Sequence, residues 1–217
     1  MKKERILIGV ILAILALTFI ISIVFYPQLP DKVASHWNAQ GQVDGYMSKF
    51  WGTFTSPLIS IAIVGLLLVV PLIDPLKENI KKFKDYYYEF IVFFLVFMLL
   101  VQLQTLLWNV GVKIQINLFI PILMGVLFYL IGVLLEKAKR NWFIGIRTPW
   151  TLSSDTVWDK THKKGALLFK VCGVIALIGA LFGSYSMYFI LVPILVSTLF
   201  LLIYSYLEYQ KEQKSAN

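Results

Sequence analysis

"FIVFFLVFMLLVQLQTLLW", residues 90–108, runs for nineteen positions without a charged side chain. A helix rises about 1.5 Å per residue, so this stretch reaches across the roughly 30 Å of hydrocarbon in a bilayer. Lipid offers a peptide group no hydrogen-bond partner, so the segment has to be a helix, which pairs its own backbone. Five further apolar runs cover residues 6–25, 54–73, 118–135, 166–182 and 187–207. The whole chain is 59% hydrophobic and 15% charged. A soluble domain needs a more polar surface than that. The expected fold class is an all-α integral membrane protein, one six-span domain over residues 1–217 with six transmembrane helices. "MKKER" before the first run resembles a signal peptide. The run is too long for a typical signal core, however, and "VFYPQLP" follows it instead of a small-x-small site, so it reads as a retained span.

The net charge of +8 would suggest nucleic-acid binding in a soluble protein, but here its distribution points to orientation and lipid headgroups. Lys2, Lys3 and Arg5 precede the first run, and four lysines fall between residues 77 and 84. Seven lysines and arginines lie between residues 137 and 164, and Lys211 and Lys214 are in the tail. The alternate connections hold only Lys32, Lys49 and Lys113. By the positive-inside rule both termini are expected in the cytoplasm, with 26–53 an extracytoplasmic loop and 136–165 a cytoplasmic loop.

The runs are chemically quiet. Lys170 lies one turn into the fifth and can snorkel outward. Gln102 and Gln104 are amides deep in the third and are expected to hydrogen-bond between helices. Asp74 closes the second run, and the single cysteine, Cys172, reads as an inert apolar residue. A proton-coupled pump needs more buried charge than this.

In the outer segment, "YPQLPDKVASHWNAQGQVDGYMSKFW", two prolines force an extended exit and Asp44-Gly45 signals a turn. His36, Asn38 and Asp44 could ligate a metal, but the irregular spacing favours a compact loop with Trp37 and Trp51 in the headgroups. No metal or cofactor is expected. His36, Asn38, Gly41 and Asp44 are the candidate outer contacts.

The inner segment is "KRNWFIGIRTPWTLSSDTVWDKTHKKG". Gly145 and Pro149 break regular structure, and Ser153 or Ser154 can cap a helix with Asp155 in its first turn. Asp155, Trp158, Asp159 and His162 then share one face, with Arg147 upstream suited to pair with either carboxylate. Two functions compete with simple anchoring: a docking platform centred on Trp158, or a site with His162 as base. No nucleophile is evident nearby, and no H-E-x-x-H, P-loop or G-x-S-x-G occurs, so no enzyme is expected.

These residues resemble the signature of the SdpI family of bacterial membrane proteins. Asn141, Trp142, Gly145, Arg147, Thr148, Pro149, Trp150, Asp155, Trp158, Asp159 and His162 carry the likeness. The outer "LPDKVASHWNAQGQVDGYMSK" resembles the domain of unknown function at that family's N-terminus. The resemblance implies immunity to a secreted antimicrobial peptide, the SdpC-derived toxin. It also implies signalling, in which the autorepressor SdpR is held at the membrane. The implied partners are membrane lipid, a toxin peptide outside and a transcriptional regulator inside, with no direct binding of nucleic acid. The alternatives are a small transporter or exporter of an amphipathic compound, or a membrane enzyme with an unfamiliar site at Arg147, Asp155, Asp159 and His162. The sequence leaves the oligomeric state open.

Overall fold

The computed structural model describes residues 2–216. Six long helices dominate it: α1 (Lys2–Phe25), α2 (Lys49–Ile73), α4 (Lys84–Asn109), α5 (Ile116–Lys137), α7 (Asp155–Gly179) and α8 (Ser186–Ala216). Two short helices, α3 (Lys77–Lys81) and α6 (Pro149–Ser153), lie in connections. By length and composition, five helical stretches are long and apolar enough to cross a membrane. The last of them, 155–215, contains both α7 and α8, which fold back on one another through a 3-10 turn at Ala180–Tyr185. Gly183 makes that reversal possible, since its φ of +53° lies in the left-handed region that disfavours a side chain.

The long elements are helices, as the all-α expectation has it, with one addition in the outer loop. Two antiparallel strands, β1 (Lys32–Trp37) and β2 (Val43–Ser48), form a hairpin where a compact loop was expected. The hairpin is tied to the helices. The Asn109 side chain, at the end of α4, accepts from the Ala34 amide (2.7 Å) and donates to the Ala34 carbonyl (3.0 Å), as a neighbouring strand would. Val33 is buried against Gly52 of α2, where any Cβ would collide with it.

The helices pack as two trios, α1–α2–α4 and α5–α7–α8, joined along an α4–α5 seam. In the first trio Gln102 donates to Ser22 Oγ (3.1 Å) and the Thr53 carbonyl (2.8 Å), the interhelical role expected of it. Gln104 does not follow: its Nε2 is buried without a partner. In the second trio α5 and α7 approach closely because Gly125 and Gly132 face Gly173 and the Ala166 carbonyl. Small residues at such a crossing let backbones meet.

The lysine-rich connections gather at one end of this bundle. Lys84 pairs with Glu4 (3.0 Å), Lys3 with Glu89 (2.8 Å) and Lys160 with Glu208 (2.8 Å). The hairpin and the α4–α5 and α7–α8 turns lie at the other end. The trios are welded at the basic end, where Ile11, Val64, Phe83, Tyr87 and Leu134 form one apolar cluster with Trp158.

Candidate functional site

The inner segment folds as a clamp across the two trios, and most of its buried polar groups are engaged within it or with the helices it touches. Asn141 is fully buried. Its Nδ2 donates to the Lys139 (2.8 Å) and Ile144 (2.9 Å) carbonyls, while Oδ1 accepts from the Phe143 (2.9 Å) and Ile144 (2.6 Å) amides. That side chain therefore shapes the turn between α5 and α6. Thr148 caps α6 in a reciprocal box with Thr151, Pro149 takes the first helical position, and Thr148 Oγ1 reaches Ser205 Oγ of α8 at 3.1 Å. Trp150 packs against the Tyr206 ring. Ser154, of the two serines considered, caps α7 by accepting from the Val157 amide.

Trp158 and His162 lie at the centre. Trp158 is 0% exposed and its Nε1 donates to the Ala138 carbonyl at 3.0 Å. The His162 ring, 2% exposed, stacks on it with centroids 3.9 Å apart. The Ile146 amide can only donate, so His162 Nε2 accepts from it (3.0 Å) and the ring proton resides on Nδ1, which donates to the Trp158 carbonyl (2.9 Å). His162 stands in the polar first turns of α7, ahead of the apolar run, and burial pushes its pKa down to about 4. Gly145 sits directly over this ring with φ of +116°, and a Cβ there would meet Nε2.

Several expectations are overturned here. Asp155, Trp158, Asp159 and His162 do not present one exposed face, because Trp158 and His162 point into the core while the two carboxylates stay on its solvent margins. His162 has both ring nitrogens engaged and is no free base. Arg147 pairs with neither carboxylate; its Nη1 donates to the Trp142 carbonyl at 2.9 Å. Arg140 takes Asp155 instead (2.7 Å) and Lys139 takes Asp159 (3.3 Å), because the chain leaving α5 runs beside the start of α7. The unfamiliar catalytic site imagined at Arg147, Asp155, Asp159 and His162 is thus not assembled.

Sequence reasoning missed the cross-trio struts. Asp74 is buried; one carboxylate oxygen accepts from the Leu76 amide (2.6 Å) and the other from the Trp142 amide (2.9 Å). Asn79 donates to the Arg140 carbonyl at 2.9 Å. The signal available was an aspartate held next to a proline at the end of an apolar run, a turn former that here also accepts from the facing loop.

At the hairpin end, Asn38 Oδ1 accepts from the Gln40 and Gln42 amides (3.0 Å each), and Gly41 adopts φ of +78° at the tip. His36 Nδ1 and Asp44 Oδ1 pair across the strands on the exposed face. Among the described residues no cluster of three His, Cys, Asp or Glu side chains is placed to hold a metal. Trp37 does not stand free for headgroups: it is half-buried, edge-on to Trp108 at 5.6 Å. The tip and the helix ends line an open cavity of about 450 Å³, walled by Gln40, Gly41, Trp108, Lys113, Asn117 and Gly183. Asn117 Oδ1 and Trp37 Nε1 are buried there or beside it without partners.

Both halves of this arrangement recur in known families. The SdpI/YfhL protein family matches residues 137–205, the clamp with α7 and much of α8, and a domain of unknown function, DUF1648, matches residues 13–61, including the hairpin. The resemblance to the SdpI family is borne out. The chain is also 27% identical over 212 residues to Immunity protein SdpI of Bacillus subtilis (strain 168), covering 97% of this chain and 98% of that protein. No solved structure matches it. This SdpI-like chain is a multi-pass membrane protein, and the SdpI match takes in the clamp held by Asn141, Thr148, Trp158 and His162.

Proposed function

We propose that the chain is a membrane immunity protein that confers resistance to a secreted antimicrobial peptide. In this reading six helices span the bilayer, with both termini and the clamp in the cytoplasm and the hairpin outside. The observation that carries it is the likeness to an immunity protein along nearly the whole chain. The hairpin end supports it physically. A secreted peptide meets that end first, and a peptide backbone brings both a donor and an acceptor, which Asn117 Oδ1 and Trp37 Nε1 lack. Gly41 lines that cavity, and His36, Asn38 and Asp44 stand on the same hairpin as further candidate contacts.

The test is expression of the chain in cells sensitive to the SdpC-derived peptide, followed by survival. Survival rises if the reading holds, and unchanged killing at normal protein abundance overturns it. Orientation is checked by single cysteines in a Cys172→Ala background. Gln42→Cys should label from outside and Thr156→Cys should stay protected in intact cells.

Recruitment of a cytoplasmic regulator is a separate proposal. It would fall on the exposed margin of the clamp, where Trp142 is 51% exposed beside Arg147, with Asp155 and Asp159 on the α7 side. Trp142→Ala would then abolish peptide-dependent membrane capture of the regulator while survival persists. Normal capture by that variant removes this surface from the mechanism.

A further inference from the structure

A second cavity, ≈ 390 Å³, opens at the basic end between the last turn of α5 and the first turns of α7. Its polar wall is Glu136, Lys139, Asp159, Lys163 and Lys170, and Leu167 lines its apolar side. Three lysines against two carboxylates leave the wall with a net charge of +1. Lys139 and Lys170 are each paired, with Asp159 and Glu136. Lys163 has no carboxylate within ion-pair reach among the described residues. His162 also lines the cavity, but it is neutral and both its nitrogens are engaged.

We propose that this cavity binds the headgroup of an anionic phospholipid. The chemistry it selects is a phosphate ester held by Lys163 and shared with Lys139 and Lys170. Free phosphate would satisfy the lysines alone. The cavity lies where the polar start of α7 gives way to its apolar run, and Leu167 is exposed beside it. A ligand that fills it therefore needs an anionic end and an apolar continuation, which a phospholipid has. Basic pockets between helices at the inner surface of a membrane are suited to anionic lipids. A zwitterionic lipid brings its own cation and loses most of the electrostatic gain. Ala138 and His162 belong to both cavity and clamp, so an occupant braces the weld between the trios. None of this depends on the immunity reading.

The full chain is placed in nanodiscs of phosphatidylcholine with increasing phosphatidylglycerol, and its thermal unfolding is followed. Wild type should be stabilised as phosphatidylglycerol rises. Lys163→Gln, which disturbs no observed pair, should need about fivefold more phosphatidylglycerol for the same shift. Lys113→Gln, at the opposite end, should respond as wild type. Inorganic phosphate added to pure phosphatidylcholine discs should leave the transition unmoved. The proposal is overturned if wild type ignores phosphatidylglycerol, or if Lys163→Gln retains the whole response. It is also overturned if Lys113→Gln loses that response equally, or if inorganic phosphate reproduces it.

Discussion

The two ends of the molecule use polar residues in opposite ways. At the basic end, Asn141, Asp74, His162 and Trp158 are buried and their polar side-chain atoms are partnered, the Thr161 hydroxyl being the exception. At the hairpin end, Asn117 Oδ1 and Trp37 Nε1 are buried and unpartnered, while His36 and Asp44 face solvent. A satisfied buried network holds one geometry, since breaking any member leaves another unpaired at a cost. An unsatisfied site bears that cost until something binds. The family signature at the basic end is therefore legible as architecture, and the unpartnered atoms of the hairpin end are what the proposed peptide contact would engage.

That contrast is breakable, most forcefully at Trp158. Trp158→Ala removes a fully buried indole from the weld between the trios and should cost about 3–5 kcal/mol, seen as lost abundance or a much lower unfolding temperature. A variant with near-native stability would show that the clamp does not join the trios. Next comes Gly145→Ala, which puts a Cβ against His162 Nε2 on a left-handed backbone; about 1–3 kcal/mol is expected from the strain. Equal stability in the same unfolding assay would mean that the segment is free to relax.

A smaller effect comes from acid. The folded His162 has a pKa near 4, against 6.5 for an ordinary histidine. Unfolded chains then bind a proton that folded ones do not, so this residue's contribution is intact above pH 6.5 and declines as pH falls toward 4. His162→Gln should be less stable at neutral pH and should lose less between pH 7 and 5, on matched unfolding curves. Parallel losses in the two proteins would assign the acid sensitivity to other groups. The smallest effect on stability belongs to the hairpin. His36→Ala with Asp44→Ala removes an exposed pair, worth about 0–1 kcal/mol, and should leave unfolding unchanged while lowering survival under toxin. Full survival would take these two residues out of the proposed contact.

Much of the architecture was legible from composition and local pattern, for physical reasons that need no tertiary knowledge. A helix must pair its backbone in lipid, so the apolar runs foretold the long helices, and a serine before an acidic first turn foretold the α7 cap at Ser154. The signature residues also carried the family likeness. Spacing along one helix could place Asp155, Trp158, Asp159 and His162 near one another, but it could not say which side of that stripe the core would cover. Only packing decided that, when α7 turned Trp158 and His162 into the weld between the trios. The same holds for Arg140 taking the place expected of Arg147, for Asp74 reaching Trp142, and for Asn109 completing the edge of β1. Each of these joins residues far apart in the chain, and such pairings are set by how whole elements meet in space, a choice that no local periodicity contains.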